Sequence, residues 1–221
     1  MKRRIRMKRT SAAGRISKKE ITPKAEITPK AERTPRVKRT PIVKNWVRRV
    51  EHMYGLFPSN FWNQASILDV GSSNGNKGLM RYIDKGALAQ NCTALDAQQK
   101  YFPNLIDVGV RCILVDFEVT RFPDVVDGVW DIIVCSHLME HVTPQCEIDL
   151  IQDFIHHGRN VVICFPVRIE RKDTKQYGHK RNPSPDKIAD SLRKSFDTVS
   201  VETVSNQYVI AAKGNRILRR G

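Results

Sequence analysis

The sequence predicts an α/β domain over residues 43–221, with a mostly parallel sheet and helices on both faces, behind a disordered basic arm over residues 1–42. Short apolar runs alternate with helical patterns, which is typical of a parallel sheet covered on both faces. The last two apolar runs have no helix between them, so a tight turn must join them as antiparallel neighbours. A basic N-terminus with regularly spaced prolines predicts the arm.

The arm contains a six-residue repeat over residues 21–44. It reads Ile-Thr-Pro-Lys-Ala-Glu twice, then Arg-Thr-Pro-Arg-Val-Lys and Arg-Thr-Pro-Ile-Val-Lys. A proline at every sixth position forbids a continuous helix, and large apolar residues are too few to offset the entropy of ordering the chain. We expect an extended spacer, although the four Thr-Pro pairs also fit kinase sites.

The net charge of +15 belongs to the N-terminal part of the chain. Residues 1–50 hold 18 Lys and Arg against three Glu, whereas the remaining residues hold 20 basic and 20 acidic side chains. The arm should therefore bind nucleic acid or another polyanion, with an affinity that falls as salt rises. A nuclear-localisation patch or a mitochondrial targeting segment would have the same composition.

The cysteines predict a reducing compartment, with the cytoplasm as the expected location. Five cysteines are present, no Cys-x-x-Cys pair occurs, and four lie in apolar runs, which favours buried thiols. No apolar run approaches the ~20 residues that span a bilayer. No metal-ligand spacing is visible, and the adjacent pair His156 and His157 is unsupported, so we expect no metal site.

Local signals place the individual elements. A first helix follows from apolar spacing between Val43 and Tyr54 and stops at Gly55. Further helices are expected over 76–88, from Pro144 to Gly158 with Thr143 as the N-cap, and from Ser184 onward. The inward stripes of the last two are Ile148, Ile151, Phe154 and Ile155, and then Ile188 and Leu192. Strands are expected over 67–70, 92–95, 111–115, 130–135, 160–165, 198–204 and 207–212.

A glycine-rich turn, Asp69-Val70-Gly71-Ser72-Ser73-Asn74-Gly75, follows the first strand. Gly71 and Gly75 can adopt positive φ and let the backbone approach a ligand closely. Such turns lie at the carboxyl ends of strands, where open α/β sheets bind ligands. The spacing does not fit a phosphate-binding P-loop, and Ser73 breaks the dinucleotide fingerprint.

Three acids, Asp69, Asp96 and Asp116, stand at the ends of three successive strands. Their carboxylates should face one edge of the sheet, and an acid ending the second strand can accept both ribose hydroxyls of a nucleoside. Helix caps and solvated loops are the alternative interpretation for each.

These segments resemble the class I S-adenosylmethionine-dependent methyltransferases over most of residues 43–213. Residues 69–75 resemble the family's first motif, with Ser73 in place of a glycine, and Asp96 resembles its ribose-binding acid. Asp116-Phe117 resembles its adenine-contacting pair. Residues 130–142, ending in Leu-x-Glu-His-Val, are similar to its fourth-strand motif. Residues 177–180 resemble the Gly-His segment after strand five.

The resemblance implies a Rossmann-like seven-stranded sheet in the order 3-2-1-4-5-7-6, with strand 7 antiparallel, and S-adenosylmethionine as cofactor. It implies the cofactor-binding residues Asp69, Gly71, Ser72, Ser73, Gly75, Asp96, Ala97, Asp116, Phe117 and Ser136. His137 is the first candidate for a general base, and His179, on a loop that could close over the acceptor, is the second. A structural or positioning role is equally open for both, and His141 is expected to pack in a helix.

The acceptor is only partly indicated. Cys135-Ser136-His137-Leu138 lacks the Asp/Asn-Pro-Pro-aromatic motif of amino-methylating DNA enzymes, and no cysteine pair for carbon-5 methylation is evident. The expected function is methyl transfer to an oxygen or nitrogen of a small molecule, lipid or sugar. The alternatives are an RNA- or ribosome-associated methyltransferase and a non-catalytic nucleic-acid-binding protein on the same scaffold.

Overall fold

The structure, a computed structural model, describes residues 45–73, 78–169 and 178–219. The arm expected over residues 1–42 lies outside the described residues. In chain order the described elements are α1 (Asn45–Gly55), α2 (Ser59–Trp62), β1 (Ile67–Val70), α3 (Leu79–Asp84), β2 (Cys92–Asp96), α4 (Pro103–Asp107), β3 (Arg111–Leu114), β4 (Ile132–Ser136), α5 (Pro144–His157), β5 (Asn160–Pro166), α6 (Pro185–Arg193), β6 (Phe196–Val204) and β7 (Gln207–Asn215).

The seven strands form one sheet in the order β3-β2-β1-β4-β5-β7-β6. Strands β1 to β5 are parallel, and β7 is antiparallel to both β5 and β6. The expected fold class, strand order and antiparallel strand are therefore confirmed. β1 pairs with β2 on one side and β4 on the other, so the strand order reverses at β1. Open α/β sheets bind ligands beyond the carboxyl ends of strands at such a reversal.

The central strands are buried on both faces, as their continuous apolar runs predicted. β1 and β2 are buried along their whole length. Successive residues point to opposite faces, so Ile67 joins the core that contains Trp62 and Tyr82, and Leu68 joins the core that contains Phe154. Two apolar cores, one on each face, hold the strand ends in place.

The β6–β7 hairpin turns at Ser205 and Asn206, as expected. Both residues have positive φ, 50° and 63°, which is the conformation of a type I′ turn. The two strands extend beyond the expected limits, β6 beginning at Phe196 and β7 ending at Asn215.

The helix after the glycine-rich turn is shorter than expected. It covers Leu79–Asp84 rather than 76–88, and residues 74–77 lie outside the described part of the chain. Gly86, with φ of 110°, ends it, and the amides of Gly86 and Ala87 donate to Ile83 and Tyr82 carbonyls, both at 2.9 Å. This pattern is a Schellman ending. The apolar pair Ala87-Leu88 continues the helical spacing in sequence, and for this reason the sequence predicted a helix that ends too late.

Two strand limits also differ. β4 begins at Ile132 rather than at 130; Trp130 forms only an isolated bridge to Gly158, and the Asp131 carboxylate accepts hydrogen bonds from the Ser66 amide at 2.9 Å and hydroxyl at 3.0 Å. β3 ends at Leu114, one residue early. Helices α2 and α4, of four and five residues, were not expected, since so few residues show no periodicity.

Helix α5 begins as expected, with the Thr143 hydroxyl accepting from the Cys146 amide at 3.3 Å. The expected stripe is only partly right. Phe154 is fully buried, but Ile148 is 49% exposed, because the buried face is centred on Leu150 and Phe154. In α6, Ile188 and Leu192 are fully buried, as expected.

All five cysteines are free thiols, and four are buried; Cys112 is partly exposed. Within the described ranges, no helix combines the length and apolar composition that crossing a bilayer requires.

Phe154→Ala and Ile148→Ala should differ strongly in their cost, although both residues belong to the same expected stripe. Removing the buried ring of Phe154 leaves a cavity and should lower the free energy of unfolding by about 3–5 kcal/mol. Ile148→Ala should cost less than about 1 kcal/mol, because half of that side chain is already in solvent. Urea denaturation measures both, and equal costs would show that the orientation of α5 is wrong.

Candidate functional site

A cleft of about 680 Å³ lies at the carboxyl edge of the sheet, beyond the ends of β1, β2, β4 and β5. This volume is typical of a site for a small molecule or cofactor. Its walls come from several parts of the chain, and the residues that line it are Arg49, Asp69, Gly71, Ser72, Ser73, Gly78, Asp96, Ala97, Gln98, Tyr101, Phe117, Ser136, His137, Leu138, His141, Pro166, His179 and Gln207.

The turn after β1 forms the floor of the cleft. The amides of Gly71 and Ser72 both donate to the Leu95 carbonyl, at 2.9 and 3.1 Å. These two hydrogen bonds attach the turn to the end of β2. Gly71 has φ of 77°, and a Cβ atom there would lie 2.9 Å from Cβ of Leu138. A side chain is therefore excluded both by backbone strain and by lack of space. Gly75 lies outside the described residues.

Asp96, at the end of β2, joins the turn to the neighbouring strand. Its carboxylate accepts from the Ser73 amide at 2.8 Å and the Gln98 amide at 2.9 Å. Ser73 has φ of 53°, a conformation that glycine adopts more readily. Burial raises the pKa of Asp96, and the backbone hydrogen bonds oppose that rise. Each carboxylate oxygen can accept a second hydrogen bond, so the group can still bind ligand hydroxyls.

Asp69 lies deeper, within β1, and is only 2% exposed. Burial and then the nearby charge of Asp96 raise its pKa to about 7, while the Arg49 guanidinium opposes the shift. Two buried acids therefore face one cleft, and a cationic ligand would stabilise the ionised form of both.

Ser72, Ala97 and Ser136 line the cleft at the positions expected for cofactor contacts. The Ser72 hydroxyl is buried and has no hydrogen-bond partner among the described residues. A buried hydroxyl normally finds a partner, so this oxygen is available to a ligand.

The segment after β3 places one of its two expected residues in the cleft. Phe117 is 8% exposed and lines the wall, whereas Asp116 is exposed and is not part of the lining. The Asp116 carboxylate instead accepts from the Glu118 amide at 3.1 Å, as in a turn. Asp69 and Asp96 thus share the cleft, and Asp116 stands outside it.

His137 lines the opposite side of the cleft and takes part in a hydrogen-bond network. Its Nε2 atom lies 2.5 Å from the Arg49 guanidinium and 2.9 Å from the side-chain amide of Gln207. Arginine can only donate, so Nε2 must accept, and the ring proton is on Nδ1. That proton is donated to Oε1 of Glu140 at 2.8 Å. With Nε2 already engaged, the ring has no open lone pair for deprotonating an acceptor.

His141 was expected to pack in a helix, but it lies in the turn before α5 and lines the cleft. Its ring contacts that of His179, with centroids 4.7 Å apart, and His179 reaches the cleft from the segment after β5. Residues 170–177 of that segment lie outside the described part of the chain. This side of the cleft is therefore lined by three imidazoles.

Several cleft residues were not expected from the sequence. Arg49 comes from α1 and is 2% exposed, and Gln207 comes from the start of β7. Arg49 donates to the Gln207 side-chain oxygen at 2.6 Å. Glu140, between Met139 and His141 in sequence, is fully buried. The one sequence signal for these residues was the charge of Arg49 within the apolar stripe of α1.

Solved structures of methyltransferases resemble this fold. A SAM-dependent methyltransferase from Archaeoglobus fulgidus is 15% identical, with a TM-score of 0.59 over 76% of this chain and 92% of that chain. A magnesium protoporphyrin IX methyltransferase from Synechocystis PCC 6803 with bound SAH is 12% identical, with a TM-score of 0.59 over 77% of this chain and 84% of that chain.

An O-methyltransferase family protein from Burkholderia thailandensis is 12% identical, with a TM-score of 0.55 over 76% of this chain, which spans 57% of that protein's length. Neither a protein-family model nor a curated protein sequence matches the chain. At these identities the likeness shows the fold alone.

Asp69→Asn should become more stabilising as the pH rises. Because the pKa of Asp69 is raised in the folded protein, the stabilisation that its carboxyl group gives relative to an ionised group is complete below the unfolded-state pKa near 4. That stabilisation is lost as the pH rises through about 7. Asparagine stays neutral, so the stability of the variant relative to wild type should grow by about 1–3 kcal/mol between pH 5 and pH 8. Urea denaturation at both pH values measures this difference.

The matched control is Asp107→Asn, on the exposed surface of α4. Its relative stability should show no comparable growth with pH. If the Asp69 variant also shows none, Asp69 is already ionised in the native protein at pH 5.

Proposed function

We propose that this chain, which has the fold of the class I S-adenosylmethionine-dependent methyltransferases, binds S-adenosylmethionine in the cleft and methylates an oxygen or nitrogen of a small molecule. The observation that carries the proposal is the position of Asp96. Its buried carboxylate lies at the end of β2, beside the glycine turn of β1 and at the reversal of strand order. A nucleoside bound there presents its ribose hydroxyls to an acid.

The other cleft residues fit the remaining parts of the cofactor. Phe117 and Ala97 supply an apolar wall for a base, and the Ser72 hydroxyl and the turn supply hydrogen-bonding groups for the amino-acid end. Asp69 and Asp96 make this half of the cleft acidic. A sulfonium and an ammonium group, both cationic, suit two buried carboxylates.

When bound, the cofactor supplies an electrophilic methyl group. The protein then has to align the acceptor with that methyl and exclude water, because charge is dispersed rather than created in such a displacement. The residues on the acceptor side of the cleft are His137, His141, His179, Pro166 and Gln207. His137 has its lone pair engaged by Arg49, so we assign it a positioning role. His141 and His179 remain the histidines that can contact an acceptor.

The polar character of this wall supports an oxygen or nitrogen acceptor. A cleft of about 680 Å³ that also holds the cofactor leaves space for a small molecule or a single exposed group. Two of the structural neighbours are an O-methyltransferase family protein and a magnesium protoporphyrin IX methyltransferase. Both neighbours are compatible with a non-nucleic-acid acceptor for this chain.

The basic arm favours a second candidate, an RNA- or ribosome-associated acceptor. The 18 Lys and Arg among residues 1–50 would bring the domain to a polyanion through salt-sensitive contacts. A non-catalytic nucleic-acid-binding protein on this scaffold would keep the arm and lack cofactor affinity.

S-adenosylhomocysteine should bind the full chain saturably, and Asp96→Ala should weaken the binding at least about 100-fold. The variant loses hydrogen bonds from the ligand to a charged group, each of which is worth about 1.5–3 kcal/mol. Isothermal titration calorimetry measures both affinities. Asp107→Ala removes an acid from the exposed face of α4 and should bind as tightly as wild type. Absence of binding by the wild-type chain would favour the non-catalytic scaffold.

Deleting residues 1–42 should abolish polyanion binding and leave S-adenosylhomocysteine affinity within about twofold, because the cleft lining within the described part of the chain begins at Arg49. Binding of a short RNA at low and high salt, followed by fluorescence anisotropy, checks the first expectation. RNA affinity that survives the deletion would place the polyanion site on the domain and support the RNA-directed alternative.

A further inference from the structure

We infer that Glu140, His141 and His179 form a site for a divalent transition-metal ion at the acceptor end of the cleft, where the ion binds the acceptor's oxygen. The inference deepens the proposed function and rests on it for the identity of the reaction. The metal site itself stands on the geometry of the three side chains and can be tested without any methyl transfer.

Glu140 and His141 are adjacent in sequence, and His179, from the segment after β5, converges with them. One ligand atom from each lies within 4.8 Å of the other two, and the rings of His141 and His179 are in contact. Ligands around one such ion lie roughly 3–4 Å apart, since each metal–ligand distance is about 2.0–2.2 Å. Small side-chain rotations would bring the three atoms to that spacing.

The buried carboxylate of Glu140 provides an independent observation. The side chain is 0% exposed, and its Oε1 atom receives the Nδ1–H of His137 at 2.8 Å. Its Oε2 atom is buried and has no hydrogen-bond partner among the described residues. A buried carboxylate oxygen without a partner is unfavourable, and a cation held by the neighbouring imidazoles would satisfy it.

The donor set indicates which ions fit. Two imidazole nitrogens and one carboxylate oxygen favour Mn²⁺, Fe²⁺, Co²⁺ or Zn²⁺ over Mg²⁺ and Ca²⁺, which prefer oxygen ligands throughout. Three protein ligands leave coordination positions open, as in catalytic rather than structural sites. His141 and His179 both line the cleft, so the open positions face the space left for the acceptor.

His137 acts in this site as a positioning residue. Arg49 engages its Nε2 atom, which keeps the proton on Nδ1 and aims it at Glu140. Hydrogen bonds to a ligating carboxylate fix its orientation, and outer contacts of this kind usually tune metal affinity. The network therefore leaves one oxygen of Glu140 for the ion.

The ion gives the cleft a way to activate a hydroxyl without a free general base. Binding to a divalent cation acidifies a hydroxyl, whose proton leaves to water. The oxygen's electron pair then forms the new O–CH₃ bond, and the electron pair of the breaking C–S bond remains on sulfur. The products are the methyl ether, S-adenosylhomocysteine and one proton, with no change of oxidation state.

Titration of the untagged, chelator-treated full chain with Co²⁺ tests the site. We expect saturable binding of one ion, with weak visible d–d absorption and no thiolate charge-transfer band. His179→Ala and Glu140→Gln should each weaken Co²⁺ binding at least tenfold. His156→Ala, on the exposed end of α5, is the matched histidine control and should bind Co²⁺ as wild type does. A thiolate band, no saturable binding, or undiminished binding by both site variants would overturn the proposal.

Calorimetry with S-adenosylhomocysteine separates this proposal from the proposed function. Metal-free wild type and His179→Ala should both bind it with affinities within about threefold of each other, because His179 lies on the acceptor side. Co²⁺ binding without S-adenosylhomocysteine binding would refute the methyltransferase assignment and leave the metal site intact. The reverse result would refute only the metal site. Glu140→Gln, which keeps the side-chain volume, supplies the metal readout if His179→Ala fails to fold.

Discussion

The sharp turn at Gly71 is the constraint on which the site depends. Its amide is hydrogen-bonded to Leu95 of β2, and its Cα faces Leu138 at a distance that leaves no space for a side chain. The next amides are held by Leu95 and by the Asp96 carboxylate. Because the turn is fixed on both sides, the ends of β1, β2 and β4 stay together, and the cleft has a floor made of backbone rather than of mobile side chains.

Electrostatics divides the cleft into two halves. Asp69 and Asp96 make one half acidic, and burial raises the pKa of both carboxyl groups. In the other half, hydrogen bonds connect Arg49 to His137 and His137 to Glu140, so that a buried cation and a buried anion are linked through an imidazole. Buried charges persist only when they are paired or bind a ligand. This arrangement explains why α1, which precedes the sheet, forms part of the site.

Much of the fold could be predicted, because the signals that specify it are local. The apolar runs of β1, β2 and β5, the cap at Thr143 and the turn at Ser205-Asn206 each act over a few residues. Errors arose where tertiary contacts overruled the pattern, as at the early end of α3 and at Ile148. Within the site, the glycine turn and Asp96 were recognisable because the chain carries them next to a strand end.

The sequence by itself determined the order of elements, the glycine turn and the acids that follow the strands, since each is encoded within a short segment. Only the tertiary structure decided which of these residues share a cleft. It excluded Asp116 from the lining and engaged the lone pair of His137. It also brought Arg49, Glu140 and Gln207 into one network with that histidine. The physical reason is that convergence of side chains depends on how helices and strands pack, and apart from the charge of Arg49 within the apolar stripe of α1, no local pattern marks that packing.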